Sequence, residues 1–122
     1  MEYDPIDLAY IAGLVDGDGS IGAYSNAYGD ITLRFHIAMA DTEGMELAVN
    51  LFGGTIRFTQ VTKGGRNFYK WSLYGKNAQK ALEAIKPYVR VKKDQLELAL
   101  QFPCNQHGRN IVNIDQLFQR EI

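Results

Sequence analysis

Residues 11–22 read Ile11-Ala12-Gly13-Leu14-Val15-Asp16-Gly17-Asp18-Gly19-Ser20-Ile21-Gly22, and three chemistries compete for them. Gly17, Gly19 and Gly22 spell the G-x-G-x-x-G of a dinucleotide site. Asp16 and Asp18 are spaced like the opening of a calcium loop. The third reading is a helix that ends on two carboxylates, and the residues on either side decide among the three.

Upstream, Asp4-Pro5 is a helix start: an N-cap followed by proline at the first helical position, with Asp7 adding favourable charge in the first turn. The spacing predicts a helix over Pro5 to about Asp16, with Leu8, Ile11 and Val15 as its apolar stripe and Ala9, Ala12 and Gly13 as an adjacent strip of small residues. Downstream the period changes to two. The glycines therefore close a helix and lead into a strand, the reverse of the order a dinucleotide fold requires, and the two aspartates would repel a pyrophosphate at the negative end of the helix dipole. A calcium loop counted from Asp16 needs glycine where Ile21 stands and glutamate where Ala27 stands. The helix ending on carboxylates remains.

Further along, Ser20–Asn26 and Ile31–Met39 alternate around a turn at Ala27-Tyr28-Gly29-Asp30. Asp41-Thr42 starts a second helix that Gly53-Gly54 stops. Thr55–Val61 and Asn67–Tyr74 form a second hairpin around Lys63-Gly64-Gly65-Arg66, and Asn77 opens a third helix that Pro87 closes. Two shorter helices, from about Lys93 to Gln101 and from about Asn113 to the end, flank a loop over Pro103–Asn110. This predicts an α+β fold: a four-stranded antiparallel sheet with helices on one face and a polar, open second face.

On that open face the alternation places Tyr24, Asn26, Thr32, Arg34, His36, Arg57, Thr59, Lys70 and Ser72. The parity of the fourth strand is the least determined, since Tyr69, Trp71 and Leu73 are the alternative outward set. Arginine and lysine read guanine edges or anchor phosphates, and a two-stranded ribbon fits the major groove.

The 122 residues are one domain's worth, 46% hydrophobic and 22% charged, an ordinary globular composition with no membrane-spanning run. The acidic start, Met1-Glu2-Tyr3-Asp4, is no secretory signal, and the one cysteine, Cys104, has no internal disulfide partner, so an intracellular setting is expected. Net charge is only −1, but it is sorted along the chain. Residues 1–53 carry nine acidic groups and one basic, a net of −8, whereas residues 54–93 carry ten basic and one acidic, a net of +9. A local field of that strength attracts a polyanion whatever the overall charge. His36, Cys104 and His107 lack zinc-ligand spacing.

If two copies of the first helix met across a two-fold axis, each would bring its own Asp18 to a shared end. Paired carboxylates beside a phosphodiester bind divalent cations. An aspartic-protease dyad is the other use of paired aspartates, but neither residue lies in an Asp-Thr/Ser-Gly motif and a helix precedes them.

The stretch Ile11–Gly19 closely resembles the signature of the LAGLIDADG homing endonucleases, and the order helix, hairpin, helix, hairpin, helix over residues 5 to about 102 resembles their αββαββα fold, leaving about 103–122 as a helical extension of a single domain spanning 1–122. The motif occurs once. In that family a single copy implies a homodimer, with the two motif helices packed together, here through Ala9, Ala12, Gly13 and Asp16, and two sheets forming a saddle over double-stranded DNA. The resemblance implies Mg²⁺-dependent, site-specific cleavage of a long, partly palindromic DNA site. A non-cleaving relative on the same scaffold, an intron maturase or a transcription factor, is the alternative. Matched residue by residue, Asp18 falls on the metal-binding acidic position and Gly17 on the carbonyl that helps hold the ion. Asp16 falls on the position that supports the helix junction. Asp41 falls near a polar residue that orients water, besides being a helix N-cap, and Lys92 falls on a lysine near the scissile phosphate. One departure is that Thr42-Glu43-Gly44-Met45-Glu46 contains no arginine or lysine, where some relatives carry a basic residue.

Overall fold

The computed structural model describes residues 2–25, 29, 31–61 and 63–104. The chain runs α1 (Pro5–Asp18), β1 (Gly19–Ser25), β2 (Ile31–Met39), α2 (Glu43–Phe52), β3 (Thr55–Val61), β4 (Asn67–Tyr74), α3 (Gly75–Ile85), a 3₁₀ turn (Lys86–Tyr88) and α4 (Lys93–Leu100). The strands form one antiparallel sheet in the order β1-β2-β4-β3, two hairpins joined side by side through β2 and β4. This is the α+β architecture expected from the sequence. The expected C-terminal helix, the turn at residues 27–30 apart from Gly29, and most of the 103–110 loop lie outside the described residues.

Two boundaries differ from the sequence reading. The first helix continues through Gly17 to Asp18, two residues beyond Asp16, and β1 starts immediately at Gly19. Gly19 makes that abrupt change feasible: a Cβ there would lie 2.7 Å from Val15 Cα and 2.8 Å from Val15 O, so only glycine fits. Its N–H donates to Val15 O, closing the helix. Likewise α3 begins at Gly75, two residues before Asn77. At the start of α1 the expected cap is present, with Asp4 Oδ1 accepting from Ile6 N at 2.9 Å.

The core lies between one sheet face and the helices. Ile21, Ala23, Leu33, Phe35, Ile37, Trp71 and Leu73 supply the sheet side; Leu8, Ile11, Val15, Met45, Leu82, Ile85 and Leu96 supply much of the helix side. Register explains the segregation, since Ile21 pairs with Phe35, Phe35 with Leu73 and Ile37 with Trp71, so one face of three strands is apolar throughout. Trp71 anchors it: its ring meets Phe35 edge-on at 5.3 Å, and its indole N–H donates to Gly53 O at 2.8 Å, satisfying the one polar atom it buries.

Candidate nucleic-acid interface and acidic helix end

With the apolar positions turned inward, the alternate positions form the uncovered face. The pairings Tyr24 with Thr32, Ser20 with His36, His36 with Ser72, Thr55 with Ser72 and Arg57 with Lys70 put these side chains on one side of the sheet. The parity of β4 is thereby decided: Trp71 is fully buried, so Lys70 and Ser72 point outward. Among the expected face residues Asn26 lies outside the described residues. Thr59 is the extra residue of a bulge, where the register skips from Phe58 to Gln60, and its hydroxyl donates to Phe68 O at 3.0 Å. Beyond the bulge Gln60 stands opposite Phe68 on the uncovered face, a position that counting in twos from Arg57 does not reach. Ser20, Thr55 and Tyr74 also belong to this face and were within reach of the alternation, being strand-end continuations of it.

The centre of the face is cationic and polar groups there lack partners. Arg34 lies across the ring of Tyr24, its guanidinium carbon 3.7 Å from the ring centroid. The residue paired with Arg34 on β1 is Gly22, which has no side chain on this face. Arg34 Nε and His36 Nδ1 are buried with no hydrogen-bond partner, a costly arrangement that an incoming acceptor or donor would relieve. Burial, with Arg34 and then Lys70 nearby, pushes the His36 pKa down to about 4, so its imidazole is neutral at physiological pH.

At one end of this face α1 delivers its carboxylates. Asp18 is the last helical residue and exposed, as is Gly17 before it. Asp18 is followed at once by β1, whose second residue, Ser20, belongs to the uncovered face, so this helix end adjoins that face. Asp16 is used differently: its carboxylate accepts from the backbone N–H groups of Arg90, Val91 and Lys92 at 2.8, 3.0 and 3.1 Å. Lys92 is nearly buried, and its ammonium donates to Asp16 O at 3.0 Å. Asp41 is exposed and stands one residue before the N-cap, Thr42; its Oδ1 accepts from Glu43 N, the first residue of α2, at 3.0 Å, satisfying one of the free N–H groups of that helix end. Gly44, in the first turn of α2, is buried against Leu14 and Tyr10 of α1, so the basic residue missing from this turn would have no room there. The remaining candidates of that turn, Glu43 and Glu46, are exposed and acidic.

The expected interface strip needs correction. Ala9 and Gly13 are exposed, but Ala12 is fully buried in the protomer's own core and cannot present its side chain to a second copy. Asp16 faces residues 90–92 instead of outward. The exposed apolar side chains of α1 are Ile6, 78% exposed, and Tyr10, 49% exposed, which with Gly13 and Gly17 form a stripe at helical spacing. The sequence carried this signal, since Ile6 and Tyr10 fall four residues apart on the side opposite Leu8 and Ile11.

A divalent cation of the magnesium type takes hard oxygen ligands and demands about six of them. Asp18 supplies a carboxylate of that kind beside the carbonyls of a helix C-terminus. Among the described residues no three histidine, cysteine or acidic side chains gather in one protomer. Among them, too, no helix is long and apolar enough to cross a membrane.

No family model and no curated protein matches the chain. Solved structures do. The homing endonuclease I-CvuI in complex with its target in the presence of Ca is 26% identical, with a TM-score of 0.62 over 79% of this chain and 64% of that one. The same enzyme with another target, in the presence of Mg and with the DNA not cleaved, is 25% identical with a TM-score of 0.61. The archaeal intron-encoded homing endonuclease I-Vdi141I, complexed with DNA, has the same fold at 20% identity and a TM-score of 0.61, over 79% of this chain and 65% of that one. The chain thus spans about 64% of the length of the I-CvuI chain. The fold is that of DNA-binding homing endonucleases. In motif and fold together the chain is similar to the LAGLIDADG homing endonucleases.

Proposed function

We propose that this protein is an intracellular, site-specific endonuclease that acts as a homodimer on double-stranded DNA, with Mg²⁺, at a long and partly palindromic site. The observation that carries this reading is the meeting of Asp18 and the uncovered cationic face at one end of a helix that is apolar on nearly every side. A helix of that kind is stable in water only when covered all round, and its exposed stripe of Ile6, Ala9, Tyr10, Gly13 and Gly17 suits close approach of a second α1. Two copies would bring two Asp18 side chains and two sheets to one axis.

In this mechanism Asp18 and the Gly17 carbonyl of each protomer would hold the cation. When bound, the ion supplies Lewis acidity at the phosphodiester and makes water more acidic. Lys92 donates hydrogen bonds to the phosphate as negative charge builds on it. Asp41 orients water through the carboxylate that also accepts from Glu43 N. Arg34, His36, Arg57 and Lys70 contact base edges and phosphates, and a symmetric dimer reads two like half-sites.

The test is selection from a randomised double-stranded DNA library, for cutting with Mg²⁺ and in parallel for binding with Ca²⁺. Recovery of one long pseudo-palindromic site, cut only with Mg²⁺, is expected. DNA enriched by binding but never cut would replace this reading with a non-cleaving module on the same fold. Enrichment in neither arm would reject DNA as the ligand.

A further inference from the structure

The N-terminus of α4 lacks a cap from its own segment. Its N-cap residue is Lys92, which makes no side-chain cap bond there, and an ammonium group has no acceptor to offer. The segment leading into α4 is held instead from up to 76 positions earlier, as Asp16 takes the backbone N–H groups of Arg90, Val91 and the N-cap residue Lys92 on its two oxygens. Lys92 returns the favour at the other helix, placing its ammonium on Asp16 O in the last turn of α1, where the helix carries its partial negative charge. The last turn of α1 and the segment leading into α4 therefore hold each other.

Two consequences bear on the site. Lys92 is only 5% exposed, and among the described residues its ammonium makes one hydrogen bond and no ion pair within 4.0 Å, so two of its three donors are unspent. The segment that carries it follows the 3₁₀ turn and is tied to α1 by the three hydrogen bonds of the Asp16 carboxylate and by the Lys92 ammonium, with Val89 buried in the core. The geometry points to Asp16 as a positioning residue: by gripping the 90–92 backbone it fixes the place of the Lys92 ammonium relative to Asp18, two residues along the same helix. The first aspartate of the motif then acts through Lys92, touching neither metal nor DNA. This rests on the nuclease reading for its effect on rate, but the grip itself is independent of that reading.

The experiment compares the full-length protein with Asp16→Asn, Lys92→Gln and the double variant. Asparagine is nearly isosteric but presents an N–H₂ where a second oxygen must accept. In the first arm the protein is labelled with ¹³C at lysine Cε, and Lys92→Gln identifies the Lys92 signal. That signal is expected to lie apart from those of exposed lysines in the wild type and to move toward them in Asp16→Asn; an unmoved signal overturns the proposal. In the second arm single-turnover cleavage is followed on DNA that the wild type cuts. Asp16→Asn should slow the reaction by about 10²-fold, as expected for a catalytic group displaced by an ångström or so, with KM little changed. Introduced into Lys92→Gln, the same change should add little, whereas the loss in thermal stability should persist in both backgrounds. Multiplying rate losses would make Asp16 a purely structural residue and overturn the proposal. If the wild type cuts no DNA, the nuclease reading fails while the first arm still decides the grip. Should Asp16→Asn not fold, Asp16→Glu, which keeps the charge and shifts it by one methylene, takes its place in both arms.

Discussion

The Arg34 guanidinium lies 3.7 Å from the centroid of the Tyr24 ring, two residues along β1 from Gly22, the partner of Arg34 in the strand register. Stacking of this kind contributes about 0.5–1 kcal/mol at an exposed site, and here it fixes the direction in which the guanidinium points. Tyr24→Ala should weaken DNA binding through Arg34. In a double-mutant cycle measured by titration of a bound site, Tyr24→Ala should cost little once Arg34 is already alanine. Independent losses would mean that the ring contacts DNA itself.

Asp18→Asn should abolish cleavage and leave DNA affinity nearly intact, because the exposed carboxylate at the end of α1 takes no part in the core or in the described hydrogen bonds. Binding in Ca²⁺ and cutting in Mg²⁺, assayed on one site, separate the two properties. Loss of binding by a folded variant would assign Asp18 to the interface instead.

Ile6→Glu with Tyr10→Glu should convert a dimer to a monomer. Both side chains are exposed in the single protomer, so monomer folding should survive, as read by circular dichroism. Sedimentation reports the assembly state. An unchanged mass would place the dimer contact elsewhere on the surface.

The His36 imidazole titrates at about 4 in the folded protein against 6.5 when free. Between those values the unfolded chain binds a proton that the native state refuses, so this residue's contribution to stability is complete above pH 6.5 and falls as pH drops from there toward 4. His36→Gln should flatten that part of the Tm-against-pH curve relative to the wild type. Parallel curves would show that the folded histidine titrates normally.

Gly54→Ala should destabilise the fold by at least about 1 kcal/mol. Gly54 has φ +86, and a Cβ would meet Trp71 Nε1, Leu73 Cδ2 and Ser72 O at 2.8–2.9 Å. The midpoint of urea unfolding measures the effect, and an unchanged midpoint would contradict the packing around Trp71.

The strands were legible because their alternation survives burial. Ile31, Leu33, Phe35, Ile37 and Met39 declare one face by composition alone, and three of the four strands end where turn residues say they should. The motif helix was legible from its cap and stripe, but its end was not: glycine propensity argues for stopping at Gly17, whereas hydrogen bonding carries the helix on to Asp18. Ala12 was misplaced for a related reason. Small residues mark a close approach without saying which side is being approached, and here Ala12 is covered by the protomer's own core. The partner of Asp16 could not be read at all, since nothing local links it to backbone groups some 75 residues away.

The bulge at Thr59 divides β3 into two reading frames. Up to Phe58 every second residue faces outward in phase with Arg57; from Gln60 onward the phase is shifted by one. Side-chain grafting between proteins of this fold, if aligned by strand position alone, would turn inward the residues meant for the uncovered face at the outer end of the hairpin. A specificity module transplanted from this chain must therefore carry its extra residue with it, and one received by this chain must either bring a bulge at the same place or be joined before it.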